Sequence, residues 1–217
     1  MAHSLKGVVV PVTAFQQNCT ILFDQETRAG IVIDPGGDIE SIITAAQKEG
    51  VTLEAIWLTH GHIDHAAGAM DLKDRLDIKI IGPHIDDTPL LQALQQQAGM
   101  FGLTDQVRNV TPDTWLNDGD EVSFAGHIFR VLHCPGHAPG HVIFVNDAHK
   151  FAHLGDVLFR GSIGRTDLPG GNHATLLKSI AKKVLPLGDD VTFICGHGPG
   201  SSIGEERRTN PFLVGQV

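Results

Sequence analysis

Short apolar runs between polar residues mark three early segments of the chain, and this pattern predicts three β-strands. The segments are rich in β-branched and aromatic residues and end at Asn, Gly or Asp; they cover residues 6–15, 18–24 and 29–37. The spacing of apolar residues then becomes helical: residues 38–50 place their apolar side chains on one helical face, and the segment ends at Gly50. A β-meander followed by an amphipathic helix is therefore expected.

The rest of the chain continues with strands and helices of similar length. A strand at 54–59 leads into a helix at 66–76 and a short strand at 78–83, and a Gln-rich helical stretch follows at 90–102. Later elements are predicted as strands 121–126, 127–134, 141–147 and 150–159, a helix at 172–185 and a last strand at 190–196. Because each half contains strands, a helix and a terminal strand, we expect two face-to-face sheets with helices outside, a four-layer α/β arrangement. The whole chain, 1–217, is expected to be one domain.

Charge and composition narrow the classes of partner. The formal net charge is −9, without a long basic cluster to offset it, so nucleic acid is not an expected partner. No stretch approaches the roughly 18 apolar residues of a membrane span, and the first residues resemble a strand rather than a secretory leader. The three cysteines show no paired spacing, which favours a reducing compartment, and we expect a cytoplasmic protein.

A dense group of metal-binding residue types follows the strand at 54–59. His60 and His62 lie two residues apart, so on an extended chain their side chains lie on the same side and can bind one ion. Asp64 and His65 follow where a helix begins, so they can reach a second ion nearby. Histidines are frequent in this chain, with 13 in all, but this spacing after an apolar strand predicts a metal site.

Three later segments also place His or Asp at the carboxyl end of a predicted strand, among glycines. They are HCPGHAPGH with His137, GDVLF with Asp156 and CGHGPG with His197. Glycine lets the backbone approach a site closely, so these residues are expected to complete the group of ligands.

These segments together resemble the metallo-β-lactamase superfamily, in all seven positions of its HxHxDH, His, Asp and His pattern. The resemblance implies an αββα sandwich with the metals in a cleft between the sheet edges. It also implies that His60, His62 and His137 bind one metal, that Asp64, His65 and His197 bind the other, and that Asp156 bridges both. Asp156 and Asp64 are then the catalytic residues, with Asp64 also orienting the nucleophile.

The resemblance implies two divalent metal ions that lower the pKa of a bridging water, so that hydroxide can attack a carbonyl near neutral pH. We expect zinc, while iron and manganese also bind His and carboxylate ligands.

Within the superfamily, the chain is most similar to the glyoxalase II group, the hydroxyacylglutathione hydrolases, in the short bacterial form without a helical C-terminal domain. The segments that carry this likeness are THGHIDH, HCPGHAPGH, GDVLFRGSIGRTDLPGG and LGDDVTFICGHGPGSSIGEERRTNPFL. The implied reaction is hydrolysis of a small-molecule thioester, S-D-lactoylglutathione, to D-lactate and glutathione. The chain contains no Tyr, so the tyrosines that contact glutathione in the longer enzymes have no counterpart and looser glutathione binding is expected.

Arg165 stands where the longer enzymes carry a Lys that binds the glycyl carboxylate of glutathione. A guanidinium can bind a carboxylate with two parallel hydrogen bonds, so Arg165 is a candidate substrate-binding residue. The alternative is a structural ion pair with Asp167, two residues further along.

Other enzyme functions and a noncatalytic role are alternatives to this hypothesis. The GRTD segment at 164–167 also resembles glutathione persulfide dioxygenases, which hold one iron with the equivalents of His60, His137 and Asp156. The expected absence of a leader disfavours a secreted β-lactamase, the lack of Tyr excludes a tyrosine-using lactonase, and the charge disfavours a nuclease. A noncatalytic binding protein would be expected to have lost ligands.

Several histidines and cysteines receive a structural interpretation. His141 begins a predicted strand and is expected either to support a ligand or to pack, and His133 is not assigned as a ligand. His84 and the remaining histidines are expected to be exposed at the surface or to have a structural role. Cys134 and Cys195 are expected to be small buried hydrophobic residues.

Overall fold

A computed structural model describes residues 4–100 and 107–215, except for the side chain of Met100. The end of the Gln-rich helical stretch, at 101–102, lies outside the described residues.

The first sheet is mixed and has five strands. In spatial order they are β1 (Leu5–Val12), β2 (Gln17–Asp24), β3 (Ala29–Ile33), β4 (Thr52–Trp57) and β5 (Lys79–Ile81). The meander β1 to β3 is antiparallel, whereas β3, β4 and β5 run parallel. The parallel strands end at the same edge, and this edge carries the polar residues that follow β3 and β4.

The second sheet is also mixed and has six strands. In spatial order they are β13 (Ser201–Ser202), β12 (Thr192–Ile194), β9 (Phe151–His153), β8 (Val142–Asn146), β7 (His127–His133) and β6 (Glu121–Phe124). Only β12 and β9 run parallel. A separate two-stranded ladder pairs β10 (Leu158–Phe159) with β11 (Ser162–Ile163).

The helices precede, connect and follow these strands. They are α1 (Ile39–Glu49), α2 (Ile63–Ala66), α3 (Ala69–Leu76), α4 (Thr88–Leu91), α5 (Leu94–Met100), α6 (His173–Ser179) and α7 (Ile203–Thr209). A 3₁₀ helix at Ile85–Asp87 precedes α4, and α6 continues as a π-helical turn at Ile180–Val184 and a 3₁₀ turn at Leu185–Leu187. Within the described residues, no helix is long and apolar enough to cross a membrane.

Three apolar clusters lie between the layers of the fold. Alternate residues of one strand enter different clusters: Ile31 and Ile33 of β3 pack between the sheets, and Val32 packs with the residues of α1 and α3. Trp57 lies at the centre of the inter-sheet cluster, with its ring 5.0 Å from that of Phe144. A third cluster packs the other face of the second sheet against α6 and its continuation. The order helix, sheet, sheet, helix confirms the predicted four-layer α/β class.

The structure differs from the predicted elements mainly in the second half. Residues 150–159 were predicted as one strand, but the chain leaves β9 at His153 and begins β10 at Leu158, with Asp156 in the turn between them. The predicted helix at 172–185 is interrupted by its π-helical turn. The sequence analysis did not predict β11, β13 or α7, because each is shorter than about two periods of its pattern.

Candidate metal centre

The seven side chains predicted as metal ligands come together in one cleft. His60 and His62 follow β4, and Asp64 and His65 lie on α2. The other three lie in turns of the second sheet: His137 between β7 and β8, Asp156 between β9 and β10, and His197 after β12. The site is therefore assembled from loops at the ends of strands in both sheets.

His60, His62 and His137 form a compact unit, the three-histidine group. The Nε2 atom of His137 lies 2.9 Å from Nδ1 of His62 and 3.3 Å from Nε2 of His60. A tetrahedral ion with bonds of about 2.0–2.1 Å has ligand atoms roughly 3.3 Å apart. The Nε2 atom of His137 therefore lies near this separation from both other nitrogens, and one ligand atom from each of the three residues lies within 4.8 Å of the others.

Asp64, His65 and His197 form the mixed group. Oδ2 of Asp64 lies 3.1 Å from Nε2 of His197 and 3.7 Å from Nε2 of His65. One ligand atom from each of these three residues lies within 4.8 Å of the others. A second ion of similar size fits this group.

Asp156 lies between the two groups. Its Oδ1 is 3.4 Å from Nε2 of His65, and its Oδ2 is 3.5 Å from Nε2 of His137 and 3.6 Å from Nε2 of His197. The carboxylate therefore faces both groups at once.

The hydrogen-bonding state of these atoms fits bound cations. Nε2 of His65 and Oδ1 of Asp156 are buried and have no hydrogen-bond partner. Leaving such atoms unpaired costs roughly 1–3 kcal/mol each, and a cation bound between them removes that cost. Together, the His and Asp clusters fit a dinuclear metal site, and their donor types do not identify the metal.

The pKa values of the two groups shift in opposite directions. Burial lowers the pKa of His62 to about 3, with a further contribution from His137, and it also lowers the pKa values of His60 and His137. Burial likewise disfavours the protonated form of His65 and of His197, but the neighbouring carboxylates outweigh it and leave both pKa values raised. Burial therefore disfavours protonation in the first group, whereas the carboxylates favour it on the histidines of the second.

Asp34, which the sequence analysis did not single out, orients ligands in both groups. Its Oδ2 accepts hydrogen bonds from Nδ1 of His65 at 2.9 Å and from the hydroxyl of Thr59 at 2.6 Å. That hydroxyl lies 2.9 Å from Nδ1 of His60 and can accept its proton. Both rings then present Nε2 to the cleft, as metal-binding histidines commonly do. The position of Asp34 at the end of β3, next to β4 in the parallel part of the sheet, was the signal that could have found it.

Asp87 ties together two loops that carry ligands. Its Oδ2 accepts the N–H of Gly61 at 2.7 Å, and its Oδ1 accepts the N–H of Gly140. Gly61 separates His60 from His62, and Gly140 lies in the turn that carries His137. Burial raises the pKa of Asp87 to about 6, and the two backbone hydrogen bonds limit that rise. No sequence pattern marked this residue, which lies in a short 3₁₀ helix.

His141 supports Asp156. Its Nε2 accepts the backbone N–H of Asp156 at 3.0 Å, and its ring stacks on that of His60. Of the two roles left open for His141, the structure shows both contact with a ligand residue and packing. Gly196 lies so close that a Cβ there would overlap Oδ1 of Asp156, so the backbone can pass beside the carboxylate only at a glycine.

The two sheets are joined next to His197. The side-chain amide of Asn18, at the start of β2, donates to the carbonyl oxygens of Cys195 at 2.9 Å and Gly198 at 2.7 Å. Gln17 pairs with His197 as an isolated β-bridge. The first sheet thus helps to hold the loop that presents His197.

Arg165 contacts the three-histidine group through its backbone, while its side chain pairs with Asp167. Its carbonyl oxygen accepts the Nδ1 proton of His137 at 2.7 Å. Its guanidinium makes two hydrogen bonds, of 2.8 and 2.7 Å, to the carboxylate of Asp167. This is the ion pair weighed as the alternative role, and both side chains are exposed.

The remaining histidines and cysteines divide into buried and surface groups. His127 pairs with Asp24 in the interior, and the buried His153 lies 3.2 Å from the Thr20 hydroxyl. Burial raises the pKa of the Cys134 thiol to about 12 and that of Cys195 to about 11, so neither thiol is reactive at neutral pH.

Comparison with known proteins gives consistent results. The profile of the metallo-beta-lactamase superfamily matches residues 12–197. The chain is 46% identical to hydroxyacylglutathione hydrolase GloC of Haemophilus influenzae, over 94% of this chain and 96% of that protein. Among solved structures, it is similar to BLEG-1 B3 metallo-beta-lactamase, with a TM-score of 0.87, 36% identity and coverage of 96% and 99% of the two chains. A di-iron-bound form of TTHA1623 gives a TM-score of 0.84 and 36% identity, over 95% of this chain and all of the other. The chain therefore belongs to the metallo-beta-lactamase superfamily.

Proposed function

We propose that this protein hydrolyses glutathione thioesters, converting S-D-lactoylglutathione and water to D-lactate and glutathione. The observation that carries the proposal is the convergence of the three-histidine group and the mixed group on Asp156 (3.4–3.6 Å). His60, His62 and His137 would hold one divalent ion, Asp64, His65 and His197 would hold the second, and Asp156 would contact both. The similarity to GloC along nearly the whole chain supports a thioester as the substrate.

Two bound cations would lower the pKa of a water in the cleft and polarise the thioester carbonyl. The residues around them position this chemistry. Asp34 and Thr59 fix the orientation of His65 and His60, and Asp87 fixes the backbone on either side of the cleft. Asp64 keeps a partly exposed carboxylate beside His197, where it would orient the attacking water.

The open side of the cleft lies at His197, whose side chain is 32% exposed. His60, His62 and His137 are buried, so we propose that a substrate reaches the site beside His197. We propose that the glutathione part of the substrate extends from this opening across the protein surface. Arg165 could bind its glycyl carboxylate only if the Asp167 ion pair opens, which is possible because both side chains are exposed.

Two other activities are alternatives that the test can detect. The similarity to BLEG-1, which is named as a B3 metallo-beta-lactamase, motivates a β-lactam substrate. The resemblance of GRTD to persulfide dioxygenases motivates an oxygen-dependent reaction at a single iron. The presence of Asp64, His65 and His197 as a second complete group favours the two-metal hydrolase over that reaction.

The test compares three substrates on protein whose metal content has been measured by elemental analysis. S-D-lactoylglutathione, a β-lactam and glutathione persulfide are assayed with and without oxygen. We expect thioester hydrolysis to be the fastest reaction and to proceed unchanged without oxygen. Faster turnover of the β-lactam, or oxygen uptake with the persulfide at one iron per chain, would overturn the proposal. The same analysis identifies whether zinc or iron is bound.

A further inference from the structure

The β10–β11 hairpin lies next to the exposed end of the metal centre. Phe159 pairs with Ser162 in this hairpin, so Arg160 and Gly161 form its two-residue turn. The ring of Phe159 meets that of His197 edge to face, with centroids 6.2 Å apart. The turn is therefore one residue away from a side chain that neighbours the partly exposed ligand.

The last helix, α7, holds the backbone of this turn in place. Glu206 of α7 is buried, and its Oε2 accepts the N–H of Gly161 at 2.7 Å. The side-chain amide of Asn210 donates to the same Oε2 at 2.9 Å and to the carbonyl oxygen of Ser162 at 3.0 Å. Because these contacts fix the backbone, a side chain on the turn can bind a ligand with little further loss of backbone freedom.

Arg160 is exposed, and within the residues that the structure describes its guanidinium forms no ion pair. Arg165, which follows β11, and the two arginines of α7, Arg207 and Arg208, each pair with a carboxylate at 2.7–2.9 Å. A paired guanidinium must leave its partner before it binds another carboxylate, whereas that of Arg160 need not. The chain as a whole has a net charge of −9, so an unpaired cation near the cleft is a local attraction for an anionic substrate.

The proposed substrate carries its carboxylates at a distance from the thioester. Three extended residues span at most roughly 10–11 Å, so both carboxylates of glutathione lie within that distance of the sulfur. With the thioester at the metal centre, a group that binds a carboxylate must lie beside the opening of the cleft. The turn of the hairpin occupies such a position, next to Phe159 and His197.

We propose that Arg160 binds a carboxylate of the glutathione part of the substrate, through two parallel hydrogen bonds. Phe159 would line the path between that carboxylate and the metal centre, and Glu206 and Asn210 would act as positioning residues for the turn. This inference rests on the proposed function and deepens it, because it names a residue that selects glutathione thioesters over thioesters without a carboxylate.

The kinetic experiment compares wild type, Arg160→Ala and Arg160→Lys on S-D-lactoylglutathione. A carboxylate remote from the reacting bond is held equally in the ground state and the transition state, so Arg160→Ala should raise KM about tenfold or more and lower kcat/KM by the same factor. Arg160→Lys keeps the charge but loses the paired geometry, so its KM should lie between the other two. The D-lactoyl thioester of N-acetylcysteamine has no carboxylate, and its KM should not respond to either substitution.

Lys48→Ala is the matched control, because it also removes one exposed positive charge, in the last turn of α1. It should keep the wild-type KM for S-D-lactoylglutathione. Equal values of KM in Arg160→Ala and Lys48→Ala, or an equal effect of Arg160→Ala on the N-acetylcysteamine thioester, would overturn the proposal.

A binding measurement separates this inference from the proposed reaction. Isothermal titration calorimetry with S-methylglutathione, which cannot be hydrolysed as a thioester, should give about tenfold or weaker binding to Arg160→Ala than to wild type and Lys48→Ala. Lack of S-D-lactoylglutathione hydrolysis by metal-loaded wild type would contradict the proposed function, while this affinity still tests Arg160. No binding of S-methylglutathione to wild type, or the same dissociation constant in wild type and Arg160→Ala, would overturn the role of Arg160.

Discussion

The three-histidine group and the mixed group share one cleft, yet they differ in burial and charge. His60, His62 and His137 are buried, with at most 7% exposure, and the group contains no carboxylate. The mixed group includes the carboxylate of Asp64 and the partly exposed His197. The three-histidine group is buried throughout, whereas the mixed group carries a carboxylate and reaches solvent at His197.

This difference indicates that the two groups bind their ions with different strength and differ in contact with solvent. Burial suppresses protonation in the three-histidine group, so protons compete weakly with a metal there. In the mixed group the carboxylates stabilise protons on the histidines, and the same negative charge attracts a cation. We infer that the first group holds its ion firmly, while the second exchanges its ion more readily and meets solvent and substrate.

The largest effect is expected from Asp156→Ala, which removes a carboxylate that faces both groups. Both ions should bind more weakly, and thioester hydrolysis should fall by several orders of magnitude, roughly as for loss of a main catalytic group. Turnover is measured on protein supplied with excess metal. Asp190→Ala, at an exposed carboxylate, is the control and should keep wild-type turnover. Wild-type turnover by Asp156→Ala would show that the bridging role is wrong.

Lowering the pH should release metal from the two groups at different pH values. The raised pKa values of His65 and His197 mean that these rings take up protons first as the pH falls, and each proton that a metal must displace costs about tenfold in affinity per pH unit. The lowered pKa values in the three-histidine group postpone this loss to lower pH. Metal content after dialysis at stepwise lower pH should therefore show the mixed-group ion leaving first. Loss of both ions at the same pH would contradict the predicted difference in metal affinity between the groups.

Asp87→Ala should loosen the three-histidine group specifically. The change leaves the N–H groups of Gly61 and Gly140 without their acceptor, so the two ligand loops are no longer held together. We expect the tighter-bound ion to lose about 10- to 100-fold in affinity, as for other residues that support ligands. Competition with a chelator measures this affinity. Asp87→Asn keeps one acceptor oxygen and should lie between wild type and Asp87→Ala; unchanged affinity in both variants would exclude the proposed role.

The smallest effect is expected from Arg165→Ala, because the carbonyl oxygen that holds His137 is backbone and remains. If the guanidinium binds a substrate carboxylate, loss of a charge-assisted hydrogen bond of about 1.5–3 kcal/mol should raise KM about tenfold or more with little change in kcat.

Asp167→Ala is the matched control for this pair, since it frees Arg165 without removing it. It should leave KM unchanged or lower it. Equal kinetic effects of the two substitutions, or an equal effect of Arg165→Ala on a small thioester without glutathione, would assign Arg165 to the ion pair alone.

The sequence predicted the parts of the site that depend on local spacing. His60, His62, Asp64 and His65 lie within six residues, so the strand-to-helix turn alone brings them close. Asp87 could not be predicted in the same way, because its partners Gly61 and Gly140 lie 26 and 53 residues away in the sequence. The break between β9 and β10 was also missed, since residues 151–159 are mostly apolar, as in a continuous buried strand, although Asp156 occupies a turn.

The most direct test titrates metal-free protein with Zn²⁺, or with Fe²⁺ under anaerobic conditions, while hydrolysis of S-D-lactoylglutathione is followed. If both ions take part, the rate should reach its maximum only when both the three-histidine group and the mixed group are filled, and oxygen should have no effect. Full activity with one ion per chain, or turnover that requires oxygen, would contradict the proposal.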